Sequence, residues 1–519
     1  MLETTVGQLF DKAVRQYPDK VAIKDLQRSI TYAELEKEVN GFANALIQLG
    51  ICHGDRVAIW LYNSIEYVVA DFAIAKIGAV RVPLNQFLSV NEVQYRMQDS
   101  GTKAIISSPE WISSVQTIVK NLPYDVLVIN TGKEPVDQES MMHQLIENSS
   151  FENPAISIGM EDLVAIMYTG GTTGRSKGVM HTHKSTIALM YSQIVEQELE
   201  RGVVLLHVAP LAHATGFFIL SGFLRGGTHI LLQSYSPRSF CETVEREKVS
   251  FVFLVPTMIY HLLDFPERTK YDLSTLKTIQ YGASPMAPTR IKQALEEFGP
   301  ILMQSYSQME VANQTTVLTK KDHQTAQGEE NRLASCGREV ILSQVRIVNV
   351  IGEDVGHGEV GEIMTRGPHM MKGYWQLEEE TAKVIKDGWL HTGDMAYRDE
   401  HGYIYLVDRK KDMVISGGFN VYSTVVESVL FQHPAVKQAA VIGVPDDHWG
   451  EAIKAIVVVH PETGINEEEI IAFCKSRLAK YEVPKTIHFV DSIPVTAYGK
   501  VDKKALRAPY WSDQGRQVN

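Results

Sequence analysis

The chain is 519 residues long, too long for one small core, and a length prior points to about three domain-sized units. With 44% apolar and 22% charged residues it has the make-up of a soluble globular protein, and a net charge of −12 excludes a broad basic surface following a nucleic-acid backbone. Cys52, Cys241, Cys336 and Cys474 lie far apart with no Cys-x-x-Cys, which argues against a zinc ribbon or a disulfide framework.

Met1 to Phe10 lacks the basic start and apolar run of a secretory signal, so a cytoplasmic location is the simplest expectation. Thr31-Tyr32-Ala33-Glu34 is a capping box that opens a helix ending near Gly50. Residues 56–61 then form a strand, 65–77 a helix closed by Gly78, and 79–83 another strand. The same rhythm returns near 103–107, 126–130, 203–208, 229–232 and 251–255, which predicts α/β architecture with parallel sheets and helical cover.

An apolar strand at 163–167 runs into Tyr168-Thr169-Gly170-Gly171-Thr172-Thr173-Gly174-Arg175-Ser176-Lys177-Gly178. Small residues let backbone N–H groups converge on an anion, and the single lysine adds a positive charge. This is the chemistry of a triphosphate cradle. It is not a Walker loop, because here the glycine follows the lysine. His181 and His183 just beyond have no third ligand nearby in sequence, so a metal site there is not expected.

Residues 202–224 carry no Asp and no Glu, and are long enough to span a membrane, but Pro210, Gly216 and Gly222 break them. They are expected to form a buried strand, a turn and a pocket-lining helix. From about Gly337 the pattern turns to short strands and Gly turns, at 344–350 and 358–366, predicting a small β-rich subdomain. After Arg409-Lys410-Lys411-Asp412 the chain reads as a compact α+β unit, with strands near 439–442 and 453–459 and a helix near 467–479.

Read singly, the remaining motifs are modest. Pro210-Leu211-Ala212-His213-Ala214-Thr215-Gly216 places one histidine in an apolar stretch, and Tyr281-Gly282-Ala283-Ser284-Pro285 is a turn after a strand. Gln304-Ser305-Tyr306-Ser307-Gln308-Met309-Glu310, Gly388-Trp389-Leu390-His391-Thr392-Gly393-Asp394, Ser416-Gly417-Gly418-Phe419 and Pro494-Val495-Thr496-Ala497-Tyr498-Gly499-Lys500 follow in order. Together with the Gly/Thr loop, these stretches resemble the signatures of the adenylate-forming superfamily of acyl-CoA synthetases, luciferases and peptide-synthetase adenylation domains. The resemblance covers nearly the whole chain and is strongest to fatty acyl-CoA synthetases.

The resemblance implies an α/β fold: a large N-terminal domain over 1–409 of parallel-rich sheets with helices, holding a β-barrel-like subdomain at about 337–409. A small mobile α+β domain over 410–519 would turn about Lys411. It further implies a ligase that uses ATP, Mg²⁺ and CoA to make an acyl-adenylate and then a thioester. Thr169, Gly170, Gly171, Thr172, Thr173, Gly174 and Lys177 would hold the phosphates. Gly282, Ala283, Ser284, Gln304, Ser305, Tyr306 and Ser307 would line the adenine, Asp394 and Arg409 the ribose, and Thr169 with Glu310 the metal. His213, Ala214, Phe217, Tyr281 and Gly282 would line the acyl pocket. Lys500, Glu310, His213 and Lys177 are the catalytic candidates, and Ser416, Gly417 and Gly418 would guide pantetheine.

The chain departs from the family pattern with Gly170 for serine, Ser176 for proline, Ala212 for an aromatic, Met309 for threonine and Val425 for glutamate. No acid follows His213 to pair with an α-amine, so the apolar lining favours a medium- or long-chain fatty acid. The alternatives are an aryl or alicyclic acid CoA ligase, an adenylating enzyme loading a carrier protein, or a nucleotide- or lipid-binding sensor impaired in catalysis by Met309 and Val425. Small molecules are the expected partners, without nucleic acid; peripheral membrane contact and a homodimer are both compatible with the sequence.

Overall fold

The computed structural model describes residues 3–132, 140–169, 175–312, 314–325, 330–446, 448–460, 463–496 and 501–511. They divide into two compact units, one built on 1–169, 176–344 and 366–390, the other on 345–365 and 391–519. The fold is α/β with mixed sheets, as the alternating pattern predicts.

Two large sheets form the first unit. One has nine strands, with Leu302–Tyr306, Thr278–Gly282, Phe251–Leu254, Val204–His207, Thr228–Leu231 and Val21–Lys24 as a parallel centre. Antiparallel strands Thr316–Leu318 and Ser29–Thr31 flank that centre. The other has eight, with Leu163–Tyr168, Val80–Pro83, Arg56–Trp60, Ala104–Ser107 and Leu127–Asn130 parallel. Gly178–Thr182 and Gly373–Tyr374 close its edge antiparallel. These central strands are short apolar runs because parallel strands are covered on both faces; Val80–Pro83, Ala104–Ser107 and Phe251–Leu254 are buried throughout.

Helices start where the sequence signals place them. Thr31 caps Tyr32–Gln48 with a reciprocal capping box to Glu34, and Ser64 caps Ile65–Lys76 through the Tyr67 amide. Their apolar faces meet Phe10, Phe72 and Phe223, whose rings pack at 4.7–5.8 Å. The 202–224 stretch becomes the strand Val204–His207, a 3-10 turn Ala214–Phe217 and the buried helix Phe218–Leu224. Among the described residues no helix is long and apolar enough to cross a membrane.

The second unit joins a sheet of Gln344–Val348, Gly361–Arg366, Trp389–Arg398 and Ile404–Arg409 to a sheet built on the long hairpin Val436–Asp446 and Gly450–Val459. Several boundaries differ from expectation: the strand near 439–442 runs from Val436 to Asp446, and the one over 344–350 stops at Val348. The strand expected from 358 begins at Gly361, because Gly358 sits at φ +80° in a turn. The helix expected to 479 stops at Lys475, where the Ser476 hydroxyl takes the Phe473 carbonyl at 2.8 Å and competes with the helical ladder.

The first unit buries several neutral imidazoles. Burial holds His181 and His183 down to about 4 and His207 to about 3. His183 Nδ1 accepts the Val6 N–H at 3.2 Å, a bond that its protonation would destroy. In the unfolded chain these groups titrate near 6.5, so below that pH the unfolded state takes up protons that the folded state refuses. Stability is therefore full above about pH 6.5 and falls as the pH drops toward 4, by up to about 1.4 kcal/mol per imidazole per pH unit. Urea midpoints are expected to decline between about pH 7.5 and 5, with a shallower slope in His183→Gln; a flat profile would contradict this.

Candidate active site

The candidate residues of the first unit follow the carboxyl ends of parallel strands, the edge at which open α/β sheets bind ligands. Tyr168 ends Leu163–Tyr168, Gly282 ends Thr278–Gly282, Tyr306 ends Leu302–Tyr306, and His213 lies in the loop after Val204–His207.

The Gly/Thr loop is pinched at its neck, where the Thr169 N–H donates to the Lys177 carbonyl at 3.0 Å. Gly170, Gly171, Thr172, Thr173 and Gly174 themselves lie outside the described residues. Ser176, in place of the family proline, is buried, and its carbonyl accepts the Tyr95 hydroxyl at 2.9 Å. At Gly178 a Cβ would lie 2.6 Å from Ile166 Cγ2, so glycine here serves the packing of the exit strand.

Glycine 178 opens the strand Gly178–Thr182, and Gly373–Tyr374 lies antiparallel along it, with Tyr374 opposite Val179. Lys177 Nζ therefore sits 5.0 Å above the Tyr374 ring. The Tyr374 hydroxyl donates to Glu310 Oε1 at 2.8 Å, and the Glu310 carbonyl accepts the Met371 N–H at 2.8 Å. Lys177 also pairs with Glu380 at 2.5 Å. Lysine, tyrosine and glutamate thus form one chain of contacts at the strand ends. Met309, where the family has threonine, is buried in the core, and its carbonyl meets His181 Nε2 at 2.9 Å.

The His213 turn is pinned from beneath by Asn63, a buried residue. Asn63 Nδ2 donates to the Ala209 and Leu232 carbonyls at 2.9 and 3.0 Å, and its Oδ1 accepts the Leu211 N–H at 2.8 Å. The Thr215 hydroxyl adds bonds to the Ala209 and Pro210 carbonyls. His213 and Ala214 are half-buried, while Phe217 is buried with its ring edge-on to His181 at 6.1 Å. A Cβ at Gly216 would come within 2.2 Å of the Leu211 carbonyl oxygen.

The adenine candidates separate into wall and core. Ala283 and Ser284 are exposed, and Ala283 holds φ +68°, a left-handed backbone that costs a non-glycine residue about 1 kcal/mol. Tyr306 is buried at the strand end, with Gln304 and Ser307 half-buried beside it. Ser305 is buried and accepts Gln280 Nε2 at 2.9 Å. Tyr281 is fully buried, its hydroxyl 3.0 Å from His323 Nε2. Alternation along the strand turns it to the sheet face opposite Gln280 and Gly282, which are buried as well. Gly282 is needed because a Cβ would lie 2.5 Å from the Ser305 carbonyl of the next strand, a closer constraint than ring access.

In the second unit Asp394 and Arg409 are register partners on neighbouring strands, with Nε to Oδ1 at 3.3 Å. Thr392 supports them, accepting the Asp394 N–H and donating to the Ile363 carbonyl. Burial, and then the charge of Arg409, hold the Lys411 ammonium below the usual lysine range. Gly417 and Gly418 have φ of +58° and +82°, and a Cβ on Gly417 would meet the Trp449 ring at 2.6 Å. Lys500 lies outside the described residues. Just beyond it, Lys503 pairs with Glu427 at 2.8 Å and donates to the Ser423 hydroxyl at 2.5 Å, while Arg507 pairs with Asp412 at 2.8 Å.

Sequence reasoning missed Asn63, Tyr374, Glu380, Lys503 and Arg507. Only Glu380 carried a signal, as the last of three consecutive glutamates.

A lysine, an aromatic strand end and a supported glutamate at the carboxyl edge of an α/β sheet are the groups a nucleotide-handling enzyme needs. Residues 10–375 match the AMP-binding enzyme family, and residues 425–500 match the AMP-binding enzyme C-terminal domain. The chain belongs to this family, the adenylate-forming superfamily that contains the acyl-CoA synthetases. It is 34% identical to the medium/long-chain-fatty-acid–CoA ligase FadD8 of Mycobacterium tuberculosis, over 99% of this chain and 91% of that one. It is 37% identical to a feruloyl-CoA synthase of Amycolatopsis sp, over 96% and 97%. Its fold superposes on ATP-bound MatB of Rhodopseudomonas palustris with a TM-score of 0.88 at 29% identity, covering 99% of this chain and all of that one.

Replacing Gly216 by alanine has to displace the His213 turn from the Leu211 carbonyl. Turnover is expected to fall about 10²-fold, the penalty of misplacing reacting groups by ~1 Å. Steady-state rates within about two-fold of the parent would show that this turn lies outside the working site.

Proposed function

We propose that the protein is an ATP-dependent carboxylic acid:CoA ligase that activates a medium- or long-chain fatty acid. The contact of both Lys177 and Glu310 with Tyr374 carries the reading, since it gathers a phosphate-seeking cation and a metal-seeking carboxylate around one side chain. The substrate carboxylate attacks the α-phosphorus of ATP, and pyrophosphate leaves. The thiol of CoA then attacks the acyl carbonyl and AMP leaves. No enzyme nucleophile is needed, so the chain acts by positioning and charge stabilisation.

Thr169 and the amides of Gly170 to Gly174 hold the outer phosphates with Lys177. A single carboxylate, Glu310, with the Thr169 hydroxyl fits a Mg²⁺ that arrives on the nucleotide, since Mg²⁺ keeps few protein ligands beside substrate phosphates. When bound, that ion spreads the phosphate charge. Tyr306 and the Gly282–Ser284 turn hold adenine, and Asp394, kept in place by Thr392 and Arg409, accepts the ribose hydroxyls. Lys500 bridges the carboxylate and the α-phosphate. The domain 410–519 then turns against 1–409 about Lys411, withdraws Lys500 and brings Ser416, Gly417 and Gly418 to the pantetheine arm.

The acid pocket follows from the His213 turn. From Ala209 to Leu224 the chain bears no charged side chain, and Phe218–Leu224 is apolar apart from Ser221 and buried apart from Leu224. This supports an uncharged acyl chain. An aryl acid is the second reading, favoured by 37% identity to feruloyl-CoA synthase. All four cysteines are free thiols, which suits a reducing cytoplasm.

Two measurements test the proposal. With a panel of acids, AMP and acyl-CoA formation should be highest for fatty acids of medium or long chain; a preference for hydroxycinnamates would move the reading to the aryl class. Lys500→Ala should lower adenylation by roughly 10²–10³, the loss typical of one well-placed electrostatic stabiliser. Thioester formation from supplied acyl-adenylate should suffer far less, and equal loss in both halves would reject the division of labour.

A further inference from the structure

Glu380 divides its carboxylate between two lysines. Oε2 pairs with Lys177 at 2.5 Å and Oε1 with Lys383, one helical turn on, also at 2.5 Å. Glu380 belongs to the short helix Glu378–Val384. That helix is tied to the strand Gly373–Tyr374, because the Tyr374 N–H donates to the Thr381 hydroxyl at 2.9 Å and that hydroxyl donates to the Leu377 carbonyl. The carboxylate is thus delivered to Lys177 by the same segment that delivers the Tyr374 ring to it. The two charges keep it ionised, with Lys177 and then Lys383 pulling it down to about 2. Both members of the Lys177–Glu380 pair are one-third exposed, open enough for an incoming anion to compete.

We propose that Glu380 is an exchange counter-ion for the phosphate-loop lysine: it holds Lys177 when the nucleotide is absent and surrenders it to the triphosphate when ATP arrives. The inference rests on the phosphate-binding role proposed for Lys177. Exchange leaves no lone charge, because the carboxylate keeps Lys383 while Lys177 moves to phosphate. The same exchange runs in reverse when pyrophosphate departs, so Glu380 lowers ATP affinity and speeds product release together. As a positioning residue it acts only through Lys177 and touches no reacting atom.

The test measures MgATP binding by calorimetry, and inhibition by pyrophosphate, on the full chain. Glu380→Gln removes the charge at nearly constant volume. It should tighten both ATP and pyrophosphate by about two- to five-fold, the range that a partly exposed ion pair supports, with the KM for the acid unchanged. In a Lys177→Ala background the same substitution should change neither. Unchanged or weaker ATP binding in Glu380→Gln would overturn the proposal. So would equal tightening with and without Lys177, since that would be plain repulsion of phosphate by the carboxylate. Lys177→Ala with undiminished ATP affinity would instead fault the phosphate role of Lys177 itself.

Discussion

The pairing of Gly373–Tyr374 with Gly178–Thr182 is the contact on which the nucleotide end of the site depends. Two backbone bonds fasten it at its margins, from the Trp375 N–H to the Gly178 carbonyl at 2.7 Å and from the Lys372 N–H to the Met180 carbonyl at 2.9 Å. Through it, residues almost 200 positions apart in sequence share one patch: a lysine from the loop, an aromatic ring from the clasping strand and an acid from the following helix. A backbone ladder fixes such a register more firmly than side chains could, because each slip of one residue would turn Tyr374 to the opposite face.

That clasp also bears on the departure at Met309. Methionine fills core volume where the family pattern has threonine, and its backbone anchors the turn. Its carbonyl is held by His181, and the next residue, Glu310, is tethered through both its carbonyl and its carboxylate. The turn is therefore anchored at three points around the substituted side chain. The structure retains a placed carboxylate at this position without the hydroxyl.

Much of the architecture was legible because parallel strands and capped helices carry local signals. The capping box at Thr31 and the apolar runs at 104–107 and 251–254 need only neighbours in sequence to be recognised. The loop lysine, Glu310 and Asp394 were singled out through motif resemblance, and the fold sets Lys177 and Glu310 against Tyr374 and Asp394 beside Arg409. What escaped was long-range: Asn63 gripping the carbonyls of Ala209 and Leu232, Tyr374 reaching Glu310, and Glu380 meeting Lys177. Each is an ordinary polar residue until folding brings its partner from many residues away. Tyr281 is a different case, since a motif position says nothing about which side of the sheet its ring takes.

The charged links at the carboxyl end give the small unit a mechanical property. Lys503 locks into Ser423 and Glu427, Asp408 accepts the Ser423 N–H, and Arg507 grips Asp412 next to Lys411. Helix Lys503–Trp511 is thereby fastened to the chain on both sides of Lys411, so a turn about that residue would first have to part Asp408 from the Ser423 amide.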